Sequence, residues 1–303
     1  MRRFTAFICM WFAMFVTMVA ATKLLPEKHH YISLYGEVGY ASLLNNLETV
    51  SPGPGIAPSI GIGYHVHYNN FICQLAFAGE YAFHTNKIPN ADLIIPMIDT
   101  ELHPFDLHAA VSDGRDALHS IQIQIPLLIG CEYKKFYFLA GAKIGLNMFG
   151  QTFSQSLLST KGDYDRYIDH FENMPNHFFQ EGQMVQSDSY EFRFKPSVNL
   201  HAEIGGRIGT FSLAKGADVM VHKIRYYLAA FVDYGVLNVH QNKAYGSALG
   251  YQQTEDKGLQ FYVLPSMVSD IMKDAQVHPL TVGIKFTALF ELPQTKPCVM
   301  CVH

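Results

Sequence analysis

Charged residues are scarce in this chain. Only 16% of the 303 residues are charged, against about 25% in a typical soluble domain. The formal net charge is −4, and no basic patch predicts binding to nucleic acid. Apolar residues make up 49% of the chain and include 22 Phe and 17 Tyr. We therefore expect much apolar surface to be hidden, either in a packed core or in lipid.

Long hydrophobic runs are also missing, except at the N-terminus. Arg2 and Arg3 precede the apolar stretch 4–19, and small residues at 19–21 offer a cleavage site. This layout is typical of a secretory signal peptide over residues 1–21, and the apolar run is shorter than the ~20 residues of a spanning helix. Beyond it the sequence predicts no transmembrane helix. An exported chain of this composition leaves a soluble secreted protein or a membrane β-barrel.

Hydrophobicity alternates with a period of two along most of the remaining chain, which predicts β-strands with one apolar face. In 136–149, for example, apolar residues from Phe136 to Met148 occupy every second position. Runs of about fourteen residues exceed the usual strand and suit a tilted membrane strand of about 9–11 residues. The alternating stretches are 31–41, 57–68, 71–84, 119–132, 136–149, 191–204, 222–236 and 280–291.

Connection lengths alternate as well. Tight turns follow Tyr68 and Tyr133, and 211–217 is another short link. Bacterial outer-membrane barrels have short periplasmic turns and longer outer loops. We therefore expect an all-β, antiparallel, up-and-down transmembrane β-barrel over 22–293, with eight strands, both ends in the periplasm and a short periplasmic tail at 294–303. The long polar stretches that would form the outer loops are 42–56, 85–117, 150–189 and 237–278.

Two alternatives to this architecture stay open. Residues 257–268 fit either an additional strand or a β-rich part of the last loop, and a count of ten strands stays open beside eight. A soluble β-sandwich would also bury alternating strands. Aromatic residues near the predicted strand ends favour two membrane-interface girdles instead; they are Phe71 and Phe136 at the turns and Tyr81, Phe83, Phe149, Phe192 and Tyr234 towards the long loops.

The polar face of the strands would fill the lumen. An eight-stranded barrel is just wide enough for its interior side chains, and buried charges are costly unless paired. The nearly balanced charges predict a plugged lumen rather than an open pore. The expected network contains Glu37, Glu80, Glu132, Glu191, Glu203 and Asp233 together with Lys143, Arg193, Lys195, Lys223, Arg225 and Lys285.

The sequence motifs that could indicate a metal, cofactor or catalytic site are weak. His65 and His67 share one strand face, but zinc needs three or four protein ligands, so we interpret them as lumen-facing polar residues. Cys298 and Cys301 do not match the C-x-x-C-H haem signal, because Val302 intervenes. We interpret these two cysteines either as part of a tail without a specific role or as a local disulfide. No pattern predicts a metal, a cofactor or a catalytic residue.

Three segments near the C-terminal end resemble OmpA-like outer-membrane β-barrel proteins of the Bacteroidetes type. They are Glu203–Arg207, Phe231–Val236 and Thr281–Pro293. The resemblance implies an eight-stranded barrel in the outer membrane of a Gram-negative bacterium, and Phe290 resembles the terminal aromatic residue read by the barrel-assembly machinery. It does not extend to a peptidoglycan-binding domain, and no catalytic residue carries over.

The sequence thus favours a non-enzymatic envelope protein that stabilises the membrane or binds through its outer loops. Its expected partners are outer-membrane lipid, the assembly machinery and an unidentified extracellular ligand of the loops. A small porin or transport barrel is the first alternative. An outer-membrane enzyme, either a protease or a lipid-modifying enzyme, is the second.

Overall fold

A computed structural model describes residues 28–99, 102–164, 179–213, 222–241, 243–254 and 258–292. The predicted signal peptide (1–21) and the predicted tail (294–303), with Cys298 and Cys301, lie outside the described residues.

Eight long strands form the wall of a closed barrel. Each strand pairs antiparallel with its neighbours in the chain, and the ring closes where the first strand pairs with the last. The fold is therefore an eight-stranded, up-and-down, transmembrane β-barrel, as predicted. The strands are β1 (Lys28–Asn45), β2 (Gly55–Tyr68), β3 (Phe71–Lys87), β4 (Pro104–Tyr133), β5 (Phe136–Asp163), β6 (Ser197–Leu213), β7 (His222–Gly235) and β8 (Val277–Glu291).

Tight turns mark one end of the barrel, called the turn end below. Two-residue connections join β2 to β3 and β4 to β5, with Asn69 at φ 54° and Lys134 at φ 62°. Positive φ at this position is what two-residue hairpin turns require, and asparagine tolerates it better than lysine. The opposite end, called the loop end, carries the long connections.

The outward face of the barrel is an apolar band. Outward side chains such as Ile60, Ile62, Ile204 and Ile284 are each more than half exposed. An exposed apolar belt around a closed barrel matches the lipid-facing band of membrane barrels. Separately, the described residues contain no helix with the length and hydropathy to cross a membrane.

Aromatic residues edge this band at both ends. Phe136 is exposed near the turn end. Tyr81, Phe149 and Tyr234 are exposed near the loop end, as the girdle interpretation expects. Phe192 differs, because it lies outside the long strands and packs inward against the apolar cluster that contains Leu43 and Met267.

Apolar clusters close both ends of the interior. At the turn end Tyr31, Tyr137 and Tyr227 pack with neighbouring aliphatic side chains. At the loop end, residues of the last loop enter the mouth of the barrel. Met267 and Met272, on two short 3-10 turns (Ser266–Val268 and Asp270–Met272), are buried against Leu118 of β4. We call 264–276 the plug segment.

The outer loops are more ordered than the sequence suggested. The stretches 85–117 and 150–189, expected to be loops, contain the outer halves of β4 and β5, and Ala91–Ile98 and Gln183–Gln186 extend that sheet. A separate hairpin, Leu249–Thr254 with Gly258–Val263, packs on the sheet through Leu249 and Val263. Residues 258–268 are therefore part of the last loop and not an additional wall strand. The remaining short strands are Ser51–Pro52 and Tyr190–Glu191.

Candidate functional site

The middle of the lumen contains a set of buried ionisable side chains. Alternation along each strand points every second side chain inward, and five of the eight wall strands contribute. Lys143 is 0% exposed and Glu203 and Lys285 are 2% exposed. We call the set of six residues the lumen ring; its members are Glu37 of β1, Lys143 of β5, His201 and Glu203 of β6, Asp233 of β7 and Lys285 of β8.

The contacts of the lumen ring form a closed cycle. Lys143 Nζ lies 2.9 Å from Glu37 Oε2 and 2.9 Å from Asp233 Oδ2. His201 links Asp233 Oδ1, at 2.5 Å from its Nδ1, to Glu203 Oε2, at 3.0 Å from its Nε2. Lys285 Nζ lies 2.8 Å from Glu203 Oε2 and 3.3 Å from Glu37 Oε1, which completes the cycle.

His201 bridges two acids of the lumen ring. Its two ring nitrogens face the carboxylates of Asp233 and Glu203. Each of the three carboxylates in the lumen ring therefore has at least one basic side chain within 3.3 Å, and such pairing is what makes the burial of charges tolerable.

Glu80 lies apart from this cycle. Its carboxylate accepts hydrogen bonds from the side-chain amides of Gln122 and Gln124, the second at 2.8 Å. Both amides belong to β4, the strand that pairs with the strand of Glu80. Amide donors, and not a cation, therefore satisfy this buried acid among the described residues.

Other predicted network residues lie towards the turn end. The Tyr227 hydroxyl donates to Glu132 Oε1 at 3.1 Å, and the Arg225 guanidinium lies 5.1 Å from the centre of the Tyr31 ring. Lys223 is exposed instead of filling the lumen. Its strand position lies two residues outside Arg225, where the barrel ends.

The expectation that Glu191, Arg193 and Lys195 line the lumen is wrong. All three are exposed, and residues 192–196 form no strand. Pro196 has no N–H for the ladder, so the alternation of β6 does not extend past Ser197. Phe194, like Phe192, packs against the interior cluster at the barrel mouth, which leaves the charged residues facing solvent.

His201 is the member of the lumen ring that the charge count missed. Its signal was its place on the polar face of an alternating strand, two residues before Glu203. Histidine carries no formal charge at neutral pH by default, so only its two carboxylate neighbours reveal its role.

A small cavity lies inside the barrel between the lumen ring and the turn end. Its volume is about 20 Å³, it lies beside His65, His67 and Gln74, and it holds about one water molecule. His65 Nε2 lies 2.9 Å from Ser33 Oγ, whereas His67 Nε2 and the Gln74 amide have no protein partner. No group of three or more metal-ligating residues occurs among the described residues.

A larger pocket opens at the loop end, which we call the rim pocket. Its volume is about 220 Å³. Two cations, one acid and Tyr245 are among the residues that line it. Burial lowers the pKa of His240, whose Nε2 has no protein partner. Its lining comprises Glu191, Phe192, Arg193, His240, Gln241, Lys243, Tyr245, Met267 and Val268.

Phe290 and two cysteines occupy the outer face. Phe290 lies on β8 opposite Ile32 and Ile224 and is 40% exposed, and its recognition by assembly machinery stays a prediction. Cys73 and Cys131 are both free.

Comparison with known proteins finds similarity only among solved structures. The chain is similar to the crystal structure of Neisserial surface protein A (NspA), with 11% identity, a TM-score of 0.26, and coverage of 84% of this chain and 95% of that chain. It is also similar to Ail, the attachment invasion locus protein of Yersinia pestis, crystallised with the heparin analogue sucrose octasulfate. That match has 10% identity, a TM-score of 0.24, and coverage of 86% of this chain and 99% of that chain. No family model and no curated protein matches the chain. The Bacteroidetes type suggested by the three C-terminal segments stays a prediction.

Proposed function

We propose that this chain is a non-conducting outer-membrane protein of a Gram-negative bacterium, which acts through its ordered outer loops. The observation that carries the proposal is the closed lumen ring of paired buried side chains between two apolar clusters. An ion crossing the barrel would have to break paired buried charges and displace both clusters, each at a cost of several kcal/mol. The folded loop sheet and its packed hairpin then supply the accessible surface.

Conductance measurements test the closed lumen. The refolded protein is inserted into planar lipid bilayers, and we expect no discrete conductance steps. A variant with Lys143→Ala and Tyr31→Ala removes one side chain from the lumen ring and one from the turn-end cluster, and serves as the opened control. Regular steps from the unmodified protein, at the frequency of insertion, would support the porin alternative and contradict the proposal.

The rim pocket is the favoured place for loop-mediated binding. Arg193 and Lys243 outnumber Glu191 among its charged residues, and Tyr245 offers a flat apolar ring. This chemistry suits a small ligand with a carboxylate and a ring, such as an acidic sugar. Titration with glucuronate and glucose, followed by NMR, tests it. We expect binding of glucuronate alone, with loss in the Arg193→Ala variant, and equal responses to both sugars would contradict it.

A further inference from the structure

Near the loop end, paired residues of neighbouring strands place their outward side chains in rows across the sheet. Across β3, β4 and β5, Tyr81, Ile121 and Phe149 form one row. The next row towards the loops contains Phe83 and His119, whose ring centres are 4.9 Å apart. Phe153, whose ring stacks at 6.0 Å on His119, lies in the row above them beside Thr85 and Ala117. These rows form the aromatic edge of the lipid-facing band.

The row above this aromatic edge is polar and cationic. Lys87 pairs directly with Arg115, and every member of the row is exposed. No acidic residue belongs to it, and neither cation has a side-chain hydrogen bond or ion pair within the described part of the chain. We call it the cationic row; its members, in spatial order, are Ser51, Lys87, Arg115, Gln155 and Gln186.

Two like charges directly opposite each other destabilise a sheet. A shared anion removes that cost, and guanidinium and ammonium groups both bind phosphate. Position selects the source of the phosphate. The cationic row lies directly beyond the aromatic edge of the lipid-facing band, and the aromatic girdles of membrane barrels lie at the membrane interface. Lipid headgroups of the leaflet at the loop end are therefore the nearest phosphates.

We propose that Lys87 and Arg115 bind the phosphate of an anionic lipid in the leaflet at the loop end, with Gln155 and Ser51 as flanking hydrogen-bond donors. The aromatic edge beneath them would contact the upper part of the acyl chains. This inference rests on the transmembrane barrel and goes beyond the closed lumen, so a conducting lumen would leave it intact.

Native mass spectrometry of the detergent-purified protein tests the proposal. The probes are phosphatidic acid, phosphatidylcholine and diacylglycerol with identical acyl chains, together with inorganic phosphate. We expect preferential retention of phosphatidic acid. In the double variant Lys87→Gln/Arg115→Gln its affinity should fall about thirtyfold, since each cation near a membrane surface contributes about a fivefold factor.

The matched control is Lys195→Gln/Lys273→Gln, which removes two exposed cations at the same end of the barrel but away from the lipid-facing surface. We expect this control to retain phosphatidic acid like the unmodified protein. An equal loss in both double variants, or equal retention of phosphatidic acid and diacylglycerol, overturns the proposal. Inorganic phosphate that displaces the lipid completely would show a general anion site and would also overturn it. The substituted side chains of both double variants are exposed, so we expect both variants to fold, which circular dichroism measures.

Discussion

The carboxylate of Asp116 on β4 holds the backbone of Ser266 in the plug segment. Asp116 Oδ2 accepts a hydrogen bond of 2.7 Å from the Ser266 nitrogen, across 150 residues of sequence. Both residues are almost fully buried, and Asp116 lies beyond the aromatic edge of the membrane band. The contact connects the barrel wall to the segment that closes its mouth. A change at Asp116 can therefore test how the plug segment is held in place.

The attachment of the plug segment should depend on pH. Burial raises the pKa of Asp116 from 3.8 to about 6. The closed plug therefore keeps a proton that the opened plug releases between about pH 4 and pH 6. The contribution of Asp116 to the stability of the closed plug is therefore fully present below about pH 4. It falls as the pH rises to about 6, by at most about 3 kcal/mol.

Hydrogen exchange of residues 264–276, corrected for the intrinsic rate, measures this effect. We expect protection to fall by up to about a hundredfold between pH 4 and pH 7. The Asp116→Asn variant cannot ionise at this position and should lose this fall in protection. A slope in the variant equal to that of the unmodified protein would assign the pH dependence to another group.

Removal of the Lys143 ammonium should destabilise the barrel strongly. In Lys143→Met, Glu37 and Asp233 each lose a cation 2.9 Å away while staying buried. The loss of one partner of a buried ion pair costs about 3–5 kcal/mol. Urea unfolding in lipid vesicles measures the change, with Lys223→Met as the exposed control, for which we expect less than about 0.5 kcal/mol. Equal effects of the two substitutions would show that the lumen ring contributes little.

Close approach of β4 and β5 requires glycine at position 130. A Cβ added to Gly130 would lie 1.8 Å from the carbonyl oxygen of Phe138, whereas one added to Gly79 would meet nothing within 4 Å. We expect Gly130→Ala to lower the yield of folded barrel in a heat-modifiability gel shift, because the two strands must separate. Gly79→Ala is the matched control and should fold normally. Normal folding of Gly130→Ala with an unchanged unfolding midpoint would contradict the strand pairing.

The orientation of side chains can be read with a tryptophan reporter. The single tryptophan of the chain is Trp11, inside the predicted signal peptide, so the barrel itself has none. Phe77 is 52% exposed on the outer face and Phe231 is 4% exposed in the lumen. In vesicles of brominated lipid we expect strong fluorescence quenching for Phe77→Trp and weak quenching for Phe231→Trp. Similar quenching at both positions would place the apolar face elsewhere than in lipid.

Much of the architecture could be predicted from the sequence because a β-strand has a period of two. A shift by one residue would move every side chain to the wrong face, so alternation alone assigned Ile204 to lipid and Glu203 to the lumen. The same reasoning failed at Arg193 and Lys195, where the pattern continued past Pro196 although the strand did not. Alternation assigns side chains to one face of a sheet only where the backbone is hydrogen-bonded within that sheet.

The sequence by itself determined the eight wall strands, their outward and inward faces and the end with the tight turns, since these depend on local periodicity and turn residues. Only the tertiary structure decided which buried charges meet. Glu37 and Lys143 are 106 residues apart in the chain, and ring closure and strand register bring them together across the lumen. Long-range packing also folded the loops into a sheet and placed the plug segment in the barrel mouth. It also placed Lys87 opposite Arg115, because strand pairing beyond the lipid-facing band depends on how the outer halves of the strands extend.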